Sequence, residues 1–254
     1  MTITAMRDVP HGTRTDLGLT VGRDRVPAIL LRPADSPARA PVVLLLHGLT
    51  SRKERMADSV GSALLKKGVA SLAIDLPMHG DRDGDVASLR GASPLALVSV
   101  WRSAMSEVRA ALDLLEAHAG VDGRRIGIVG YSLGSYLALA AAADQPAIRC
   151  VALAAGGDLP ERTPFAPLVR TVLDPPRMVR QLAGRPLLMV SGTRDRTVTP
   201  AQATRLFDAA LEPKTMRWYD GGHWPPPMAI NATAKWVAAC LLEPSARTAR
   251  TTAP

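Results

Sequence analysis

At 254 residues, with 47% hydrophobic and 21% charged positions, the chain has the length of one large domain and the composition of a folded globular protein. That balance excludes a disordered chain, and no apolar run reaches the length of a membrane span. The net charge of +8 would suit an acidic partner, but the arginines are scattered, Arg124-Arg125 being the only adjacent pair, and aromatics are 4%, so neither a nucleic-acid nor a membrane partner is expected.

Residues 13–20 and 25–32 read as an antiparallel strand pair closed by Pro33, and a proline- and alanine-rich linker follows over 34–41. The continuously apolar run 42–46 reads as a strand buried on both faces, as does 69–74, with a helix over about 52–67 between them. A polar loop over 75–93 leads to a helix that opens at Pro94 and runs to about 119. Leu97, Trp101, Met105, Val108, Leu112 and Leu115 recur at helical spacing along it and are expected in the core. Further strands are expected over 125–129, 148–154, 186–191 and 215–219, and helices over 135–143, 200–211 and 228–242. Strands alternating with helices define an α/β domain with a mostly parallel, twisted sheet of about eight strands and helices on both faces.

One domain over 1–254 accommodates all of this, with a frayed tail over 243–254. The stretch 156–185 is too long for an ordinary connection and holds five prolines, so it reads as a small lid of one or two helices. The first ten residues carry Arg7 and Asp8 without the apolar stretch of a secretory signal, and a cytoplasmic location is expected. Cys150 and Cys240 read as small buried hydrophobes, and neither their number nor their spacing suggests a metal.

The densest chemical signal is Gly130-Tyr-Ser132-Leu-Gly134, where an apolar strand runs into an alanine-rich helix. A serine on so sharp a turn sits in strained backbone with its hydroxyl exposed, and glycines two positions away on either side remove the side chains that would collide. Gly127, Gly130 and Gly134 lack the G-x-G spacing of a dinucleotide turn, so no cofactor is expected. On this motif and its setting the chain resembles the α/β-hydrolase family over nearly its whole length, which implies the α/β-hydrolase fold with a lid insertion.

A serine hydroxyl needs an imidazole to take its proton, and the imidazole needs a carboxylate to orient it. The resemblance implies Ser132 as nucleophile, Asp195 in the loop after a buried strand as the acid, and His223 in Gly221-Gly222-His223-Trp224 as the base. The two glycines are expected to let that loop bend back over the sheet. Asp158, after the preceding strand, is an alternative place for the acid in such folds, and Asp195 also suits a helix cap or a pair with Arg194 or Arg196. The implied oxyanion donors are the backbone N–H groups of Leu49 and Leu133. His47 and the turn Asp75 to Arg82 read as structure around the site. Trp224, Phe165 and Leu168 are expected to bind substrate. The implied activity is a metal-free serine carboxylesterase for short-chain esters, oligomeric state undetermined. Thioesterase, lactonase, perhydrolase or peptidase chemistry with the same residues remains open, as does a non-catalytic binder on a hydrolase scaffold.

Overall fold

Apolar residues that alternate between two faces of a strand need a helical layer on each side, and β4 (Ala40–Leu46) has both. Val42, Leu44 and Leu46 enter one core cluster, while Val43 and Leu45 enter the other. The computed structural model describes residues 1–34, 39–89, 91–161, 163 and 166–243, the side chains of Ala166 and Leu168 excepted. The expected tail beyond Glu243, the middle of the 34–41 linker and Phe165 therefore lie outside the described residues.

The other strands are β1 (Thr2–Val9), β2 (Gly12–Val21), β3 (Asp24–Pro33), β5 (Ala70–Ile74), β6 (Val121–Tyr131), β7 (Ile148–Ala154), β8 (Leu187–Gly192) and β9 (Lys214–Tyr219). They form one sheet in the order β1-β2-β3-β5-β4-β6-β7-β8-β9. The pairings from β1 to β5 are antiparallel, and those from β5 through β4 to β9 are parallel. From β4 the chain passes first to β5 on one side and then to β6 on the other. This reversal opens a crevice beyond the carboxyl ends of the central strands, the usual ligand position in such sheets.

One face of the sheet is covered by α3 (Pro94–Ala117), α4 (Leu133–Asp144), α6 (Pro175–Arg180) and α7 (Pro200–Ala209). The other carries α8 (Pro227–Leu242) and a continuous helical run made of α1 (Lys53–Met56), a π turn (Ala57–Gly61) and α2 (Ser62–Leu65). Ser93 caps α3 by accepting from the Ala96 N–H, with Pro94 at the first helical position. No described helix is long and apolar enough to cross a membrane.

Two expectations change, and a third segment is defined more closely. The sheet has nine strands because β1 pairs along the outer edge of β2, a strand with seven exposed positions and no apolar alternation to reveal it. Leu97 is exposed, since only the stretch of α3 from Ala104 to Leu115 is buried against the core. The 156–185 excursion holds α5 (Ala166–Val172) and α6, but Val179 and Leu182 are buried in the core with Met178 packed against them. Its second helix thus packs into the helical layer on that face of the sheet.

Candidate active site

Ser132 stands between β6 and α4 with φ 51° and ψ −113°, a conformation an L-residue adopts only when its surroundings enforce it. Its N–H donates to the Ala154 carbonyl at 2.9 Å, and its own carbonyl accepts from the Ser135 N–H at 2.9 Å. The Ser135 hydroxyl lies 2.9 Å and 2.8 Å from the Gly130 and Ala154 carbonyl oxygens, bracing the turn from below. A Cβ on Gly130 would come within 2.2 Å of the Gly134 carbonyl oxygen, and one on Gly134 within 2.2 Å of the Leu46 carbonyl oxygen. Helix and strand meet at backbone contact, which accounts for both glycines.

His223 reaches this serine from beyond β9. Its Nε2 is 2.9 Å from Ser132 Oγ, and its Nδ1 is 2.7 Å from Asp195 Oδ2. An acceptor-only carboxylate on Nδ1 places the proton there and leaves Nε2 as acceptor for the serine O–H, the polarity proton abstraction needs. Asp195 is buried, and its other oxygen accepts from the Thr197 and Val198 N–H groups at 2.8 Å and 3.1 Å. Oδ2 is thereby kept for the imidazole.

The acid and histidine loops are fastened to each other. Thr193 N–H donates to the Tyr219 carbonyl at 3.0 Å and Arg194 N–H to the Gly221 carbonyl at 2.9 Å. Glycine is required here at Gly192, where a Cβ would come within 2.2 Å of the Gly222 carbonyl oxygen. The chain bends at Gly221 and Gly222, but neither has positive φ and a Cβ on Gly222 would meet nothing, so the bend at Gly222 does not demand glycine. The Tyr219 hydroxyl lies 2.9 Å from the Gly222 carbonyl oxygen, and the Tyr131 hydroxyl 3.3 Å from that of His223. Burial pushes the Tyr219 phenol up to about 12 and raises that of Tyr131 further, so both remain neutral donors.

Two of the other roles considered for Asp195 are filled elsewhere. Thr199 and Gln202 form the capping box that opens α7, and Arg194 pairs with Asp220 at 2.6 Å. Asp158 accepts from the Leu159 N–H at 2.7 Å and pairs with Arg170 and Arg205 at 3.1 Å and 3.5 Å. His223 is joined to Asp195 alone of these two carboxylates.

Leu133 begins α4, where helical N–H groups have no intrahelical acceptor, and the Leu49 N–H follows Gly48. Neither N–H enters a turn or loop hydrogen bond among the described residues. The Leu49 loop is packed against the serine, for a Cβ on Gly48 would lie 3.1 Å from Ser132 Cβ. His47 is fully buried. It takes the Leu76 N–H on Nε2 at 3.0 Å, so its Nδ1 carries the proton donated to the Gly48 carbonyl at 2.8 Å. Asp75 beside it is buried with Lys53, whose Nζ lies 2.8 Å from Oδ2.

Trp224 is half exposed and stacks on Tyr131 with ring centroids 4.8 Å apart, its edge toward His223 at 6.3 Å. Leu168 falls on α5 with its side chain outside the described residues, and Phe165 lies outside them too. Reading the sequence missed Tyr131, Arg55 and Ser51, which line a cavity of about 290 Å³ between the π turn, α8 and the ends of β6 and β7. Tyr131 alone had a signal, its place beside the motif serine.

Residues 43–184 match the Alpha/beta hydrolase family, and the chain belongs to that family. It is 27% identical over 188 residues to an uncharacterized protein of Mycobacterium tuberculosis, covering 72% of this chain and 62% of that protein. The chain thus spans less than two thirds of that relative's length. It is 30% identical over 154 residues to Hydrolase acrC of Aspergillus aculeatus, covering 54% of this chain and 33% of that one. Among solved structures, a cold-adapted esterase from an Arctic intertidal metagenomic library superposes with a TM-score of 0.75 at 24% identity, over 95% of this chain and 100% of that one. Acetyl xylan esterase 1 from Thermoanaerobacterium gives 0.74 at 19% identity, over 92% and 85%. These likenesses show the α/β-hydrolase fold with esterases as structural neighbours.

Proposed function

We propose that the protein is a serine carboxylesterase acting on short-chain esters. The observation that carries this reading is the placement of His223, with one ring nitrogen on Asp195 and the other on Ser132. Ser132 Oγ attacks the ester carbonyl carbon as its proton passes to His223 Nε2. The Leu49 and Leu133 N–H groups hold the oxyanion, and Asp195 stabilises the imidazolium. Collapse expels the alcohol, which takes the proton from His223. Water, deprotonated by the same nitrogen, then attacks the acyl-enzyme, releasing the acid and restoring the serine. The tight donor set on Asp195 Oδ1 supports its role as the fixed anion of the pair.

The cavity of about 290 Å³ beside Trp224 supports short acyl groups. The test is fluorophosphonate labelling together with kcat/KM across p-nitrophenyl esters from acetate to palmitate. We expect labelling at Ser132 and an optimum at about two to eight acyl carbons, since each further methylene gains about 0.8 kcal/mol only while the cavity has room. Absence of labelling overturns the serine mechanism, and an optimum at twelve carbons or more overturns the short-chain assignment.

A further inference from the structure

The cavity between the π turn and α8 is lined by apolar side chains, Met56, Val60, Val129 and Ile230 among them, together with the rings of Tyr131 and Trp224. It adjoins the candidate triad through the chain itself. Tyr131 precedes Ser132, Trp224 follows His223, and the two rings stack at 4.8 Å with their planes 28° apart. None of Ser132, His223, Leu49 and Leu133 is among its lining residues, so the Tyr131 and Trp224 rings are what join it to the triad.

Two polar side chains there lack a hydrogen-bond or ion-pair partner among the described residues. The Ser51 hydroxyl lines the cavity and is buried without a hydrogen bond among the described residues. The Arg55 guanidinium lies 3.9 Å over the Trp224 ring and enters no ion pair among the described residues. Its neighbours in sequence differ: Arg52 pairs with Glu54 and Asp81, and Lys53 with Asp75, Glu54 and Asp81. No aspartate or glutamate lines the cavity. The Ser59 hydroxyl, inside the π turn, donates to the Arg55 carbonyl and fixes the backbone that carries this cation. Such turns recur at functional sites because they re-aim side chains along a helix.

A guanidinium over an aromatic face keeps N–H groups at its edge for a carboxylate, which it meets with paired hydrogen bonds. An apolar cavity of this size with a solvent-exposed guanidinium, free of any ion pair among the described residues, at its aromatic wall suits a short apolar limb that ends in an anion. We infer that the cavity receives the acyl limb of the substrate and that Arg55 binds a carboxylate at the limb's far end, so that the preferred substrates are monoesters of short dicarboxylic acids. The inference rests on the serine-esterase reading above.

The test compares kcat/KM for monoethyl glutarate and ethyl pentanoate, which share a five-carbon acyl chain, in wild type, Arg55→Gln and Arg55→Lys. Fluorophosphonate labelling of each protein is followed in parallel. Wild type should favour the half-ester by about tenfold, the worth of one charge-assisted contact, mainly through KM. Arg55→Gln should bring the ratio to about one, Arg55→Lys should retain part of it, and high salt should shrink it in wild type by screening. A wild-type ratio of one or less, or a ratio that survives Arg55→Gln, overturns the carboxylate assignment and leaves the esterase reading standing if labelling and ethyl pentanoate turnover persist. Loss of both labelling and turnover in wild type overturns the two together.

Discussion

His223 and His47 each stand beside an aspartate contributed by the neighbouring strand of the sheet, and the two pairs have opposite fates. His47 and Asp75 directly follow β4 and β5, whereas Asp195 and His223 lie three and four residues beyond β8 and β9. With no intervening loop, His47 is sealed in the interior. Its Nε2 is 3.9 Å from Asp75 and is used by the Leu76 N–H, its Nδ1 by the Gly48 carbonyl, and the Asp75 charge is taken by Lys53. Burial holds this imidazole neutral, lowering its pKa from 6.5 to about 4. The few extra residues before His223 lift it above the strand ends, where one nitrogen meets Asp195 and the other is left for Ser132. Backbone partners make a histidine structural, and a nitrogen offered to a hydroxyl makes it available for chemistry.

The largest expected effect falls on the third member that only His223 possesses. Ser132→Ala should lower ester turnover by about four to six orders of magnitude without unfolding the protein, since the oxyanion donors and the binding contacts remain. Steady-state kinetics on an activated ester, with circular dichroism as the fold control, measures it. Retention of a tenth of wild-type turnover would remove Ser132 as the nucleophile.

Next comes the pair of aspartates that compete for the acid role. Asp195→Asn should cost on the order of 10⁴ in turnover, because an amide on Nδ1 no longer enforces the tautomer that leaves Nε2 as acceptor. Asp158→Asn should cost far less, its charge being committed to Arg170 and Arg205. The reverse ranking in kcat would reassign the acid.

In the structural pair the loss should appear as stability instead. Asp75→Asn would set an amide NH2 against the donors on one side, either the Lys53 N–H at Oδ1 or the Asp81 N–H and the Lys53 ammonium at Oδ2, and would remove the charge that holds that ammonium. Asp81 and Glu54 still face that ammonium, so the cost should be about 3 kcal/mol, the low end for breaking a buried pair. Urea unfolding at pH 7 measures it, and an unchanged midpoint would mean that the network carries no stability.

Much of this arrangement is legible in the residues because its causes are local. Continuous apolar runs mark β4 to β8, and glycine at 130 and 134 marks the turn, although only the crowding at Gly130 arises within five positions while that at Gly134 comes from the Leu46 carbonyl at the end of β4. What stayed hidden depends on contacts between distant segments. The demand for glycine at Gly192 comes from carbonyls 30 positions downstream at Gly222. Lys53 finds Asp75 across 22 positions, which no periodicity encodes. The exposed face of β1 carries no apolar alternation, and the π turn has no sequence signature at all, so the cavity behind it emerges only from the packing of two helices on the sheet.

The smallest expected effect is the pH dependence that His47 imposes on stability. Its folded pKa of about 4 lies below the unfolded value of 6.5, so between those limits the unfolded chain binds more protons than the folded one. The stability it contributes is fully present above about pH 6.5 and is lost as the pH falls toward about 4, and from pH 7 to pH 5 the loss should be about 2 kcal/mol. Burial lowers His118 as well and adds a loss of the same sign, but a variant at position 47 keeps that contribution. Burial opposes ionisation of Glu54, yet hydrogen bonds from Arg52 and Lys53 bring its carboxyl to about 2, below this window. His47→Gln is the informative substitution, since an amide can accept from the Leu76 N–H and donate to the Gly48 carbonyl without ever titrating. Urea unfolding of both proteins at pH 7 and pH 5 should show the wild type losing about 2 kcal/mol more than the variant. Equal losses would mean that the imidazole at 47 takes up its proton as readily in the folded protein as in the unfolded chain, and the contrast between the two histidines would then have to rest on hydrogen-bond geometry alone.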